Sequence, residues 1–243
     1  MLLLAVDTSG KNGSLALALA VPGQSQIDVL EVVPLSGGAF SAQLVPQIAA
    51  LLEKHTYRNN DLGAFAVASG PGSFTGLRVG LAAIKALAEA LEKPIVAVSL
   101  LEAVASSGTE RGRVLAALDA GRGDVYVGDY SIDPHVRRNS ERLLSREEFL
   151  AEIRHPELRR RESGAPETKT SAVVTPDAVL ADMVRSAGVV AGIRLEQIEY
   201  PTSGVIARLG WEHLERGETV GPEQLEANYL RHSDAEIFSK PAP

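Results

Sequence analysis

The sequence predicts an α/β fold built as two similar lobes, and two observations carry that prediction. Short apolar runs of strand length alternate with segments of helical period along the chain. One local pattern also occurs twice. LLLAVDTSGKNGSLALAL near the start and VLAALDAGRGDVYVGDYS in the middle share an apolar strand, an aspartate, a glycine-containing turn and a second strand. Asp7 and Asp119 hold the same place in each copy. Read as a duplication, the repeat gives an N-terminal lobe over 1–108 and a C-terminal lobe over 109–243; a chance likeness of two hairpins is the competing explanation.

The elements follow in order. Residues 2–7 and 14–20 read as strands joined by the turn-rich 8–13, a hairpin by composition. Residues 41–54 have helical period, with Leu44, Ile48, Leu51 and Leu52 on one side and Pro46 in the first turns. A buried strand is expected over 64–69, a helix over 77–91, a strand over 94–98 and a short helix over 100–106. The pattern then restarts with strands over 114–119 and 124–131 around a turn at 120–123. Beyond it Arg137, Arg138, Arg142 and Arg146 are scattered through a polar stretch, and 156–170 is poor in apolar residues, an exposed excursion. A strand over 172–175, a helix over 176–186, a helix over 202–216 with the only Trp, Trp211, and a mixed tail from Pro222 complete the chain.

Composition narrows the chemistry. The chain of 243 residues is 45% hydrophobic and 23% charged, the proportions of an ordinary globular protein with a real core. A net charge of −7 argues against a broad electrostatic grip on nucleic acid. Without cysteine there are no disulfides, no thiolate catalysis and no Cys-ligated zinc. None of His55, His135, His155, His213 and His232 stands three or four positions from another, so no metal site is read. MLLLAVDTSG lacks the basic start of a signal peptide, and no window approaches the ~20 apolar residues of a membrane span. A cytoplasmic protein with no membrane partner is expected.

Two short motifs invite a phosphate. Asp7-Thr8-Ser9 ends the first strand, where its hydroxyl and N–H groups could meet a phosphate and Asp7 a hydrated cation. The competing reading, favoured for an isolated Asp-Thr-Ser, is a turn bonding its own backbone. In ASGPGSFTGLRVGL, Gly70, Gly72 and Gly76 are spaced one residue longer than the dinucleotide fingerprint and lack the Gly-Lys-Ser/Thr ending of a P-loop. The glycines also fit a tight turn and close strand–helix packing, although a helix N-terminus favours anions. On the helix over 77–91, Arg78, Lys85 and Glu89 fall within about 20° of one line. Leu77, Leu81, Ile84, Leu87 and Leu91 form a bulky face, and Val79, Ala82, Ala83, Ala86 and Ala90 a smooth flank. Such a flank suits another helix, from this chain or a partner, and equally suits burial in a large domain.

Four segments, LAVDTSGKNGSLALA, ASGPGSFTGLRVGLAAIKALA, LAALDAGRGDVYVGDY and ANYLR, resemble the TsaB (YeaZ) family of bacterial proteins needed to make threonylcarbamoyladenosine beside the tRNA anticodon. The similarity runs over essentially the whole chain and is strongest over 1–130. It implies two duplicated ribonuclease-H-like lobes of the actin-like/sugar-kinase/Hsp70 (ASKHA) superfamily. It also implies a non-catalytic partner of TsaD, the related enzyme that transfers the threonylcarbamoyl group from its adenylate to adenosine. TsaE, an ATPase, joins the same complex, TsaC supplies the activated intermediate, and tRNA is met indirectly. In TsaD a His-x-x-x-His pair binds metal; the aligned positions here are Leu100 and Val104, which have no lone pair to offer. No catalytic residue, metal or cofactor is therefore expected, with residual ATP or ADP binding at Asp7, Thr8 and Ser9 as the weak alternative.

The resemblance places partner contacts on the first two helices, shared between a TsaD heterodimer and a homodimer of the free chain. The residues expected there are Leu44, Ile48, Val79, Leu81, Ala82, Ala83, Ala86 and Ala90. Two departures from the family pattern stand out: Phe40 where a His often precedes the first helix, and Ala227 where Pro often opens the Tyr-Leu-Arg motif. An ATP-dependent phosphotransferase using Asp7, Thr8 and Asp119 is the alternative function, although Ala120 and Arg122 replace hydroxyl-bearing contacts in the second hairpin. A protease is a remote third, with no zinc-spaced His pair to support it.

Overall fold

The computed structural model describes residues 1–21, 23–24, 26–154, 170–188 and 193–231. The chain forms two compact units, Met1–Ser107 with Glu199–Ala227, and Gly108–Ile198 with the segment from Asn228. In the first unit, β1 (Leu2–Asp7), β2 (Gly13–Ala20), β3 (Ile27–Leu35), β4 (Leu62–Gly70) and β5 (Ile95–Ser99) make one sheet in the order β3-β2-β1-β4-β5. The β1–β2 and β2–β3 pairs are antiparallel; β4 runs parallel to β1 and β5 parallel to β4. Helices α1 (Phe40–Lys54), α2 (Phe74–Leu91) and α3 (Leu100–Ser107) follow β3, β4 and β5.

The second half repeats this plan. It runs β6 (Gly112–Gly121), β7 (Asp124–Ile132), β8 (Val136–Ser145), α4 (Arg146–Arg154), β9 (Thr170–Thr175), α5 (Ala178–Ser186), β10 (Arg194–Gln197) and α6 (Ser203–Glu215). Its sheet order is β10-β9-β6-β7-β8, with the same sequence of antiparallel and parallel pairs. Among the described residues each half is thus strand, strand, strand, helix, strand, helix, strand, helix, the duplicated lobe plan that the resemblance implies.

Strand β2 sorts its side chains by size. Along β2 the run Leu-Ala-Leu-Ala alternates faces, as period-two geometry requires. Leu15 and Leu17 join Leu2, Leu4, Val6, Phe65 and Val67 in one core beneath α1 and α2. On the other face Ala5 stands between Ala16 and Ala66, a row without bulk. Helix α6 lies on that row so closely that a Cβ on Gly210 would come within 2.5 Å of the Ala66 Cβ. Trp211, 1% exposed, donates from Nε1 to the Gln24 carbonyl at 2.7 Å and closes the packing. The second unit has its own core, in which Phe149 and Ile153 of α4 and Leu180 and Val184 of α5 cover Leu115, Val127 and Val173.

This packing corrects the expected boundary. The C-terminal lobe is not 109–243, because Glu199–Ala227 belongs to the first unit: α6 buries its apolar face on the alanine row, and Val220 bridges Ile95 of β5. Strands β3, β8 and β10 and helix α4 add to the expected elements. Of the polar excursion expected over 156–170, Thr170 is buried at the start of β9 and the rest lies outside the described residues. Among the described residues no helix is long and apolar enough to cross a membrane.

Candidate functional site

Strand β1 delivers Asp7, Thr8 and Ser9 into the interior, each 2% exposed. Their polar groups are taken up by the chain. Ser9 donates from its N–H and its hydroxyl to Asp7 Oδ1 at 2.8 and 2.5 Å, the geometry of an Asx turn. Thr8 Oγ1 donates to the Gly76 carbonyl at 2.7 Å, and the Ser73 N–H donates to the Ser9 carbonyl at 2.7 Å. Burial pushes the Asp7 carboxyl up from the usual carboxylate range, and the two Ser9 bonds pull it partly back.

The glycine loop is seated on this turn. A Cβ on Gly72 would lie 2.4 Å from the Ser9 carbonyl oxygen, one on Gly76 2.1 Å from the Thr8 carbonyl oxygen, and one on Gly80 2.4 Å from Thr8 Oγ1. Ser73 caps α2, its Oγ accepting from the Gly76 N–H at 3.3 Å. The glycines therefore serve backbone approach between the β1 turn and the first turns of α2.

The equivalent hairpin of the second unit is built differently. Arg122 and Gly123 form its two-residue turn with φ of 57° and 88°, as a type I′ turn requires. Asp119 is exposed here, accepts from Arg146 Nη2 at 3.3 Å and gives its N–H to Asp177 Oδ2 at 2.7 Å. Burial pushes the Asp177 carboxyl up, and the Asp119 charge adds to that, while the bond from the Asp119 N–H lowers it. Arg231 donates to Asp124 Oδ2 at 2.6 Å and to the Gly121 carbonyl at 3.2 Å. The DAGRGDVY and ANYLR segments, far apart in sequence, thus meet in one place.

Helices α1 and α2 enclose a shallow groove of about 510 Å³ whose lining includes Leu44, Val45, Phe74, Val79, Ala82 and Ala83. Val45 is 57% and Phe74 39% exposed, and the Arg78 guanidinium lies 3.6 Å from the Phe74 ring centroid. Ala82, Ala86 and Ala90 are exposed, and Val79 and Ala83 half-buried. Leu44, Ile48 and Leu81 do not belong to an outer face: at 1%, 3% and 6% exposure they anchor the two helices in the core. Their bulk faces the sheet, and the small residues face outward.

Helix α3 holds Leu100 and Val104, both wholly buried and packed as core side chains. Between them Glu102, also buried, accepts from His213 of α6, with Nε2 and Oε1 2.7 Å apart. Nothing in the sequence pairs these two residues, which are 111 positions apart. Among the described residues, no three of His, Cys, Asp or Glu are grouped to hold a metal ion.

The chain matches the family model described as "TsaD: tRNA N6-adenosine threonylcarbamoyltransferase" over residues 32–163, a little more than half its length. It is 27% identical to the Escherichia coli protein "tRNA threonylcarbamoyladenosine biosynthesis protein TsaB" over 97% of this chain and 96% of that one. The chain belongs to the TsaB (YeaZ) family. The Bacillus subtilis protein of the same description is 37% identical over 131 residues, 54% of this chain and about half, 55%, of the relative. YeaZ from Pseudomonas aeruginosa superposes with a TM-score of 0.71 at 25% identity, covering 94% of this TsaB-family chain and 99% of the other.

Proposed function

We propose that this TsaB-family protein serves threonylcarbamoyladenosine synthesis on tRNA as a non-catalytic activating subunit of a TsaD-type transferase. The observation that carries this reading is the pair Leu100 and Val104. Where the resemblance aligns the metal-binding histidines of the transferase, this chain has two fully buried hydrocarbon side chains. A metal clamp on the substrate carbonyl and its leaving phosphate has nothing to stand on there. The exposed flank of α2 with Val45 and Phe74 supplies a surface on which a helical partner fits. In this reading the chain works in the cytoplasm, meets TsaE only in the ternary assembly, reaches tRNA through its partners and binds no cofactor of its own. The bonds that occupy Thr8 and Ser9 support the last point.

The test is reconstitution with purified TsaD, TsaC and TsaE, ATP, threonine, bicarbonate and tRNA. The chain alone yields no modified adenosine, and its addition to the mixture restores modification. Full activity of the mixture without it, or modification by the chain alone, overturns the proposal. A calorimetric titration with ATP and magnesium gives no heat of binding; micromolar affinity would revive the phosphotransferase reading.

A further inference from the structure

We infer that Asn228–Arg231 is a latch on the second unit: it holds the tip of the β6–β7 hairpin closed through Arg231 and opens when that ion pair is screened or lost. Equivalent carbonyls of the two hairpins are held by different means. In the first unit the Ser9 carbonyl, two residues after Asp7, accepts from the Ser73 N–H of the glycine loop. In the second unit the Gly121 carbonyl, two residues after Asp119, accepts from Arg231 Nη2, and the same nitrogen reaches Asp124 Oδ2. A side chain from the far end of the sequence thus stands where the first unit uses a backbone loop.

The hold is placed where the hairpin needs one. Gly121 and Asp124 face each other across the turn, so one guanidinium joins both arms. Between them Arg122 sits in the left-handed region at φ 57°, a conformation that costs energy for any side chain other than glycine. A second anchor sets the direction of the tail. Asn228 Nδ2 donates to Glu141 Oε2 at 2.5 Å, and Glu141 also accepts from the Tyr130 hydroxyl. Glu141 stands opposite Gly128 of β7. From Gly128 to Asp124 is about 13 Å of strand, a span that three residues of extended tail and an arginine side chain cover. The tail therefore follows β7 towards the hairpin tip, on the face that carries Asp124, Tyr126 and Gly128. Leu225, three residues before Asn228, is buried in the first core, so the tail enters the latch from a fixed point.

The grip is electrostatic and within reach of solvent. The Arg231 and Asp124 side chains are 23% and 34% exposed, so salt screens the pair while the unit stays folded. The Arg113–Asp129 pair of the same unit, at 14% and 3%, is withdrawn from that control.

Amide hydrogen exchange of the full chain, read over residues 119–125, tests the latch. Arg231→Ala speeds exchange there about tenfold, and guanidinium at ~10 mM, entering the vacated place, returns it to within about threefold of wild type. Asn228→Ala removes a side chain bonded to neither Gly121 nor Asp124, yet speeds exchange at the same residues several-fold, because the tail loses its first anchor. Raising sodium chloride from about 0.05 to about 0.5 M loosens the wild-type tip and leaves Arg231→Ala unmoved. Protection over β9 and α5 stays at the wild-type level throughout, which separates an opened hairpin from an unfolded unit. A tip in Arg231→Ala within about twofold of wild type overturns the latch. So does a tip in Asn228→Ala as protected as wild type, which would make Arg231 an isolated ion pair. Loss of protection across the whole unit in Arg231→Ala that guanidinium fails to reverse overturns it as well.

Discussion

Glu102 Oε1 lies 2.7 Å from His213 Nε2, and this contact ties α3 to the helix that returns from the far end of the sequence. The two side chains are 9% and 15% exposed, so each is largely withdrawn from water. A second carboxylate, Glu218, stands 3.3 Å from the other ring nitrogen, and Arg216 balances it from 2.9 Å. Removing one member of such a pair leaves the other buried without its partner. Glu102→Ala is expected to destabilise the protein by about 3 kcal/mol, and Glu102→Gln by clearly less, because the amide oxygen still accepts. Urea denaturation of the three proteins decides it; equal losses for both variants would show that packing, and not the bond, carries the contact.

Asp7 makes stability depend on pH. Its carboxyl is raised in the folded protein, so the folded chain binds its proton more tightly than the unfolded chain does. The stability this contributes is present below the ordinary carboxylate pKa, near ~3.9, and is lost as pH rises through the folded value. Asp7→Asn keeps an acceptor for the Ser9 N–H and hydroxyl and carries no charge. The variant should melt higher than wild type at pH 7, by a few degrees for each ~1 kcal/mol gained, with the two converging towards low pH. A wild-type advantage at pH 7 would mean that the ionised carboxylate is needed.

Gly76 tests what the glycine loop is for. Gly76→Ala sets a methyl group 2.1 Å from the Thr8 carbonyl oxygen, a backbone atom that cannot turn aside. A loss of more than about 2 kcal/mol in chemical denaturation is expected with no ligand present. A variant as stable as wild type would return the loop to the list of ligand cradles.

Leu81 and Ala86 separate core from surface on one helix. Leu81→Glu buries a charge in the first core and should unfold that unit, seen as loss of the cooperative melt. Ala86→Glu stands on the exposed side, should leave the melt intact and should weaken the complex with the transferase at least about tenfold in titration calorimetry. Unchanged affinity for Ala86→Glu would move the contact off this flank.

Much of the first unit is legible in the sequence because β1, β2, β4 and β5 are short apolar runs bounded by turn residues. The Leu-Ala run of β2 announces a strand buried on both faces, and the repeat of Asp7 by Asp119 announces the second lobe. Strand β8 is harder to see: VRRNSERLLS sits at a sheet edge, half-buried or exposed throughout, and carries polar groups on both sides. A helical period finds the apolar stripe of α6 but not the sheet beneath it, and contacts such as Gly210 on Ala66 and Trp211 on Gln24 assign that helix to the first unit. The same limit explains Leu44, Ile48 and Leu81. Periodicity puts them on a face, and size, not period, turns that face towards the sheet. Of the candidate site, the pairing of Thr8 with Gly76 leaves no trace in local pattern, because it joins two turns across 68 positions.

The alanine row under α6 also imposes an order on synthesis. A ribosome releases all five strands of the first sheet long before it reaches Ser203, and until then the alanine row on one side of that sheet lacks the helix that covers it. Among the described residues, the strands of the second sheet and the helices over its core are complete by Gln197. The alanine row made first is therefore covered late, and a chain cut short anywhere before α6 leaves the ribosome with that row open to water.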